Sequence, residues 1–140
     1  MALRLMLEVS RLGDGEAPVG LTEVAKATGM SKRFLEQLAM SLKSHHLLRG
    51  VCGRKGGYLL ARPAEEISIG DVLNAVIGPI NLSACAEDES LCMASDFCEC
   101  RLIWLLLRER INAVLKEYTL ADLSNRDWMK AIRKELQLVG

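Results

Sequence analysis

The chain has 140 residues, 50% of them apolar, which is enough for one compact core or for a small domain with an appended dimerisation element. Its 18 basic and 18 acidic residues give a formal net charge of zero, which argues against a nonspecific binder of polyanions. The charges are nevertheless separated along the chain. Residues 31–60 contain six Lys or Arg and one acidic residue, whereas residues 84–100 contain five acidic residues and no Lys or Arg. The sequence therefore joins a basic module to an acidic one.

No stretch of the sequence is apolar enough to cross a bilayer. The longest candidate runs from Leu102 to Leu107, far short of the ~20 apolar residues that a membrane-spanning helix needs. The five cysteines come without a secretory signal, so a reducing compartment is expected and a disulfide framework is not. We therefore expect a soluble, cytoplasmic protein with no membrane partner.

The first three predicted elements are helices separated by glycines. The first covers residues 1–12, is apolar around much of its circumference and is therefore expected to be buried on more than one face; a Gly-Asp-Gly sequence ends it. Thr22 is predicted to cap a second helix that runs to Thr28, where Gly29 supplies the turn. Ser31 is predicted to cap a third helix that runs to Ser44.

The third helix has one apolar face and one charged face. Its apolar residues recur at i, i+3, i+4 and i+7 and are expected in the core: Leu35, Leu38, Ala39 and Leu42. The cap and the opposite face carry the candidate DNA contacts Ser31, Lys32, Arg33, Glu36 and Gln37. Two short helices joined by a Gly-containing turn, the second opening with cations, are typical of a helix-turn-helix whose recognition helix enters the major groove. An ordinary helical hairpin with a solvated charged face is the alternative.

A basic, Gly-rich hairpin is predicted directly after the third helix. Leu47, Leu48 and Val51 lead into Gly53-Arg54-Lys55-Gly56-Gly57, and Tyr58-Leu59-Leu60 returns. Glycines at the tip would let the backbone approach phosphate closely. The candidate DNA contacts here are Arg49, Arg54, Lys55, Gly56 and Gly57. A helix-turn-helix followed at once by such a hairpin is more specific than either part, and it predicts a wing.

Two further helices are predicted. Ser68 and Asp71 form a capping box for the helix that closes the module, and Gly78 ends it. A long helix then runs from about Glu99 to Tyr118, with a heptad seam that we expect to form a dimer interface: Trp104, Leu107, Ile111 and Val114. This helix is more apolar than one short chain could cover, which favours a symmetric homodimer. A core helix of a monomer is the alternative.

Between the last two helices the chain reads Cys85-x6-Cys92-x5-Cys98-x-Cys100. Thiolates are the ligands that hold iron–sulfur clusters and structural zinc. The cysteines are not expected to be inert thiols buried in a core, because the acidic residues between them would then have to be buried as well. Zinc is less favoured because a second paired Cys or His element is missing. An exposed iron–sulfur cluster is therefore the leading interpretation.

Several segments resemble one known family: Phe34-Leu35-Glu36-Gln37-Leu38, the Gly-Gly-Tyr wing, Ile67-Ser68-Ile69-Gly70-Asp71-Val72, the cysteine segment and Tyr118-Thr119-Leu120-Ala121-Asp122-Leu123. Together they are similar to the Rrf2 family of winged-helix transcription regulators, which includes the IscR, NsrR and CymR types. The resemblance implies a mainly α fold with a winged helix-turn-helix, a small hairpin wing and a long C-terminal dimerisation helix. It divides the chain into a DNA-binding domain (1–78), a cluster-binding loop (79–100) and a dimerisation helix with its tail (101–140).

The resemblance also implies roles for single residues. The family's cluster cysteines correspond to Cys85, Cys92 and Cys98, and the tryptophan of its dimer helix to Trp104. Glu36 corresponds to a glutamate that tunes which DNA sequences are accepted. The expected cofactor is an iron–sulfur cluster, with the 2Fe-2S type favoured and the 4Fe-4S type as the alternative.

The chain departs from the family pattern at four places. Arg101 stands where the family usually has a histidine ligand, so the fourth ligand is open. Cys100, which is not part of the usual triplet, is the candidate substitute. Cys52 stands where an arginine of the wing is usual. Contacts in the DNA minor groove would therefore be made by Arg49, Arg54 or Lys55. Met1 aligns inside the first helix, so several residues usual for the family are expected to be absent.

The resemblance predicts a regulator that binds double-stranded DNA and senses iron, redox or nitric oxide status through its cluster. The alternative is a cluster-free, CymR-like regulator controlled by thiol oxidation, a metabolite or a partner protein. An enzyme is not expected, since His45 and His46 have no nucleophile or carboxylate close in sequence.

Overall fold

The structure, a computed structural model, describes residues 1–88, 90 and 98–138, and at Cys85 and Ala86 it describes the backbone alone. These residues form a mainly helical chain with one antiparallel hairpin, as the sequence predicts. The elements in chain order are α1 (Ala2–Leu12), α2 (Leu21–Thr28), α3 (Lys32–Ser44), β1 (Leu48–Val51), β2 (Gly57–Leu60), α4 (Ile69–Ile77), α5 (Ala84–Glu87), α6 (Glu99–Glu117), α7 (Leu120–Ser124) and α8 (Arg126–Glu135). A short 3-10 helix, Ala64–Glu66, lies between β2 and α4.

One prediction about the helix ends is wrong. The N-cap of α2 is Gly20 and not Thr22, which is exposed within the first turn. The helix begins earlier because Leu21 is buried in the core, and this burial outweighs the capping preference of threonine. The other end is as predicted, with Gly29 in the left-handed conformation at φ 73°.

The core lies among α1 to α4, β1 and α7. Its fully buried members include Leu5 and Met6 of α1, Val24 of α2 and Leu35 and Leu42 of α3. Burial of α1 is greatest along one stripe, and Leu12 at its C-terminus is exposed, so α1 is less enclosed than its sequence suggests. The helix-turn-helix is therefore built on a packed apolar base that leaves the other face of α3 free for contacts.

The C-terminal half is joined to this core by backbone hydrogen bonds. The Ile69 N–H at the start of α4 donates to the Tyr118 carbonyl (2.9 Å), and the Leu120 N–H of α7 donates to the Ile67 carbonyl (2.8 Å). Both Leu120 and Ile67 are fully buried. The end of α6 and the start of α7 are thus part of the same folded unit as the helix-turn-helix.

Two capping boxes hold this junction. Ser68 and Asp71 cap α4 as the sequence predicts, with Ser68 Oγ accepting from the Asp71 N–H (3.0 Å). Thr119 and Asp122 cap α7 in the same way, with Asp122 Oδ2 accepting from the Thr119 N–H (2.8 Å). Such boxes satisfy otherwise unpaired N–H groups at a helix start.

Among the described residues, no helix has the length and apolar character needed to cross a membrane.

Candidate nucleic-acid interface and metal centre

The recognition helix α3 presents a polar face opposite its core face. Lys32, Arg33, Glu36 and Gln37 are all exposed, whereas Leu35, Leu38, Ala39 and Leu42 are buried. Ser31 caps the helix, its Oγ accepting from the Phe34 N–H at 3.3 Å. The first turn contains no acidic residue, so the positive end of the helix dipole and the two cations act together.

Two apolar residues that were not among the predicted contacts lie on exposed parts of α3. Phe34 is 39% exposed and Met40 is 71% exposed. Both fall outside the i, i+3, i+4, i+7 core stripe, and this spacing is the sequence signal that could have identified them. Apolar side chains on a recognition helix can contact thymine methyl groups.

The predicted wing is present as β1 and β2, in a register that pairs Leu48 with Leu60 and Val51 with Gly57. Arg54 and Lys55 are exposed in its tip. Arg49 is exposed as well but lies near the base of the hairpin, opposite Leu59, where it lines a groove with Asp14 and Glu16. With a strand rise of ~3.3 Å per residue, Arg49 is more than about 10 Å along the hairpin from the tip cations.

The glycines of the wing have packing constraints of their own. Gly53 has φ 116°, a value that disfavours other residues. A Cβ on Gly56 would clash with the Val51 carbonyl, and one on Gly57 with the Val19 carbonyl. Gly57 and Gly56 are therefore required by the hairpin itself, independently of the predicted approach to phosphate.

The base of the wing is also paired with the segment before α2. The Tyr58 N–H donates to the Val19 carbonyl (2.8 Å), and the Val19 N–H donates to the Tyr58 carbonyl (2.9 Å). This bridge and the contacts of α3 with β1 fix the orientation of the wing relative to the helix-turn-helix.

His45 and His46 end the recognition helix. His45 is the C-cap of α3, and its Nδ1 lies 2.9 Å from the Ser41 carbonyl, to which the ring N–H donates. His46 adopts a positive φ of 57°. Both are exposed, and their described contacts are those of a helix end and not of a catalytic pair.

The structure describes some of the cysteines that are predicted to hold a cluster. Cys85 lies in α5, Cys98 is the half-exposed N-cap of α6, and Cys100 is exposed in the first turn of α6. The Cys85 side chain and all of Cys92 lie outside the described residues. Among the residues described, no three Cys, His, Asp or Glu come together as a metal site, so the predicted ligand set is not tested by this geometry.

A carboxylate and the N-terminus of α6 lie close in sequence to the described cysteines. Asp88 Oδ1 accepts from both the Ser90 hydroxyl (2.7 Å) and the Ser90 N–H (2.9 Å), and these bonds hold the pKa of Asp88 below its usual value. The Cys98 side chain accepts no capping hydrogen bond from α6. Cys98 and Cys100 lie at the N-terminus of α6, and such a helix end stabilises nearby anions.

The helix α6 leaves a large apolar area exposed on the single chain. Of the predicted interface residues, Trp104, Leu107 and Val114 are exposed and Ile111 is half-buried. Three neighbours that lie outside the predicted seam are more exposed than Trp104 (37%) and Leu107 (38%): Leu102 (64%), Ile103 (47%) and Leu106 (50%). The exposed apolar surface is therefore concentrated in the first half of α6 and is wider than the heptad seam.

The chain is similar to known proteins that agree with these features. Residues 1–126 fit the model of the Rrf2 family, described as iron-dependent transcriptional regulators. The chain is 36% identical over 135 residues to the HTH-type transcriptional regulator IscR of Sodalis glossinidius, covering 96% of this chain and 81% of that one. It is 38% identical over 124 residues to IscR of Serratia proteamaculans, covering 89% and 74%.

Solved structures have the same fold. The T. potens IscR structure covers 99% of this chain and 87% of its own, with a TM-score of 0.69 and 28% identity. The structure of CymR, the global cysteine regulator of B. subtilis, covers 87% and 88%, with a TM-score of 0.70 and 30% identity. The family match and the IscR relatives, together with the recognition helix and the wing, show that this chain is a DNA-binding transcriptional regulator of the IscR type and not an enzyme. The chain belongs to the Rrf2 family.

Proposed function

We propose that this chain is a cytoplasmic homodimer that binds duplex DNA through α3 and the wing and changes its DNA affinity with an iron–sulfur cluster held by Cys85, Cys92 and Cys98. Cys100 is the proposed fourth ligand, and the 2Fe-2S type is the favoured cluster. The observation that carries the proposal is the family match over residues 1–126, which includes the whole cysteine segment. The relatives named IscR support the same assignment.

Exposure and charge support the DNA contacts. The candidates on α3 are Ser31, Lys32, Arg33, Glu36 and Gln37, and those on the wing are Arg54, Lys55, Gly56 and Gly57. Cations on two elements that pack together can contact phosphates on both sides of a groove, while α3 reads base edges. Arg49 is assigned a flanking phosphate contact because it lies at the base of the hairpin.

The cysteine thiolates are suitable ligands for an iron–sulfur cluster. Thiolates are the usual ligands of iron–sulfur centres, and the half-exposed Cys98 lies at a helix N-terminus that stabilises negative charge. Such a cluster, when bound, supplies sensitivity to oxidants, nitric oxide and iron supply. The acidic residues around it oppose an anionic centre, which favours an accessible and labile one.

The exposed apolar surface of α6 supports the dimer. Burying Trp104, Leu107, Ile111 and Val114, with Leu102, Ile103 and Leu106, against a second copy removes a patch that monomeric proteins rarely leave in water. α6 begins at the cysteine segment, and hydrogen bonds between residues 67–69 and 118–120 join its far end to α4. A change at the cysteines can therefore alter the separation of the two recognition helices through α6.

The cluster assignment is tested by iron and sulfide analysis of protein purified without oxygen. Cys85→Ala, Cys92→Ala and Cys98→Ala should each lose the colour and most of the iron, because an iron with too few thiolates is open to solvent and oxygen. Cys52→Ala is the matched control and should stay coloured, since Cys52 is exposed beside the wing. Cys100→Ala should shift the spectrum if Cys100 is the fourth ligand.

The alternative is a cluster-free regulator, and the likeness to CymR is the observation that favours it. Full retention of iron and sulfide in a triple Cys85, Cys92 and Cys98 alanine variant would show that the cluster assignment is wrong. Wild-type protein that takes up no iron and sulfide under reconstitution would favour the cluster-free regulator.

A further inference from the structure

A groove of about 670 Å³ lies between α8, the end of α7 and the last turn of α1. The family match ends at residue 126, so nearly all of α8 lies beyond it. Much of the groove is therefore lined by a segment that lies outside the family model. Its lining residues are Arg11, Leu123, Ser124, Asn125, Arg126, Met129, Lys130, Arg133, Lys134 and Leu138.

Both ends of α8 are held by defined caps. Asn125 Oδ1 accepts from the Asp127 N–H (2.9 Å) and the Trp128 N–H (3.3 Å) at the N-terminus. At the other end Gln137 has φ 55°, its N–H donates to the Lys134 carbonyl (3.1 Å), and the Leu138 N–H donates to the Arg133 carbonyl (2.8 Å). This pair of bonds is a Schellman motif. It turns the chain back so that Leu138 lines the groove with Leu123 and Met129.

The helix is also fixed against the rest of the fold. The Trp128 ring packs edge-on against Tyr118, with ring centroids 5.3 Å apart and an interplanar angle of 60°. α8 contacts α7, and α7 contacts α1. α8 is therefore connected through α7 to α1, the other wall of the groove.

The groove is lined by apolar side chains and by basic side chains. Five Lys or Arg line the groove and no Asp or Glu does. Two of the cations have ion pairs: Arg11 with the half-buried Glu8 (3.8 Å), and Lys130 with the exposed Asp127 (3.7 Å). The Lys130–Asp127 pair is exposed on both sides and contributes little, so Lys130 can turn to an anion in the groove.

From these features we infer that the groove binds a small anionic amphiphile, a molecule with a carboxylate or phosphate head and a short apolar body. Arg126 and Lys130 would bind the head, and Leu123, Met129 and Leu138 would cover the body. The volume lies within the roughly 300–1,000 Å³ of small-molecule sites, which are likewise mostly apolar with a few placed polar groups. A purely apolar ligand would not use the charge of the basic lining, and a small inorganic anion would leave Leu123, Met129 and Leu138 in water.

Calorimetric titration with decanoate and decyl phosphate, below their micelle concentrations, tests the inference. Both should bind saturably with one site per chain, and the tighter of the two identifies the head group. Decanol and inorganic phosphate should each bind at least about tenfold more weakly, because each lacks one half of the recognition. Replacing Arg126 and Lys130 together by Ala should weaken decanoate binding at least about tenfold, and Met129→Gln should weaken it as well.

A matched control removes two exposed cations elsewhere, Lys26→Ala with Lys116→Ala, and should leave decanoate binding unchanged. DNA affinity should be unchanged in Met129→Gln, which separates failure of this inference from failure of the proposed function. The inference is overturned if decanol binds as well as decanoate, if the control double variant weakens binding as much, or if neither decanoate nor decyl phosphate binds.

Discussion

Arg33 and Arg54 are exposed cations on the two elements that a winged helix presents to DNA. Arg33 lies in the first turn of α3, and Arg54 lies in the tip between β1 and β2. Neither makes an ion pair among those that the described residues show. Both are therefore available for phosphate contacts and dispensable for folding.

Replacing Arg33 and Arg54 together by Ala should weaken DNA binding without changing thermal stability. The homodimer loses four phosphate contacts, two in each protomer, so the slope of log affinity against log salt should fall by about 4. Fluorescence anisotropy at several salt concentrations measures this, and calorimetry checks the melting temperature. Lys116→Ala with Lys130→Ala is the control with equal charge loss. Unchanged DNA affinity in the arginine variant would count against the docking surface.

Gly57 provides a second residue-scale prediction. Gly57→Ala should destabilise the protein by about 1–3 kcal/mol, because its Cβ would meet the Val19 carbonyl that pairs the wing with the segment before α2. Gly50→Ala is the control, since the nearest atom to a Cβ there is the flexible Lys43 Nζ at 3.6 Å. It should be neutral or stabilising by up to about 1 kcal/mol. Equal urea midpoints for the two variants would contradict the assigned role of Gly57.

At the scale of elements, local signals predicted most of the fold but not how the elements meet. The Ser31 cap, the Gly29 turn and the Ser68–Asp71 box are short-range patterns, and all three are present. The Val19–Tyr58 bridge joins residues far apart in sequence and has no local signature. Thr22 failed as a cap because burial of the preceding Leu21, a tertiary effect, set the helix start.

The proposed interface on α6 shows the same limit. Heptad spacing predicts Trp104, Leu107, Ile111 and Val114, yet the packing of α4 against α6 decides which sides of the helix are covered. Gly70 of α4 packs against Leu115, where a Cβ would lie 3.3 Å from the Leu115 Cβ. The spacing alone could not show that Leu102 and Leu106 are more exposed than Trp104 and Leu107. Both belong in the proposed interface.

Leu107→Glu should therefore give monomeric or insoluble protein, because a carboxylate would be buried without a partner in the dimer. Sedimentation velocity at a fixed concentration measures the oligomeric state. Lys116→Glu is the control on the same helix, at an exposed position, and should stay dimeric. A well-folded dimer of Leu107→Glu would show that this part of α6 is not the protomer contact.

At the scale of the whole molecule, the DNA-binding half and the C-terminal half share one core. Leu120 and Ile67 are both fully buried, and the backbone bonds around them link α4, α6 and α7. Both tryptophans, Trp104 and Trp128, lie in the C-terminal half, whereas helices are spread over the chain. Urea unfolding of cluster-free protein should thus give coincident transitions by tryptophan fluorescence and far-UV circular dichroism. An earlier fluorescence transition would show that the halves unfold separately.

The most direct test of the central claim compares the DNA affinity of cluster-loaded and cluster-free protein. A duplex selected from a random pool by the loaded protein is titrated without oxygen, before and after the cluster is removed. The account predicts a change of roughly 5- to 150-fold for the wild type, the usual range for coupling between two sites. The triple Cys85, Cys92 and Cys98 alanine variant should show no such difference. Equal affinities of the two wild-type states would contradict the account.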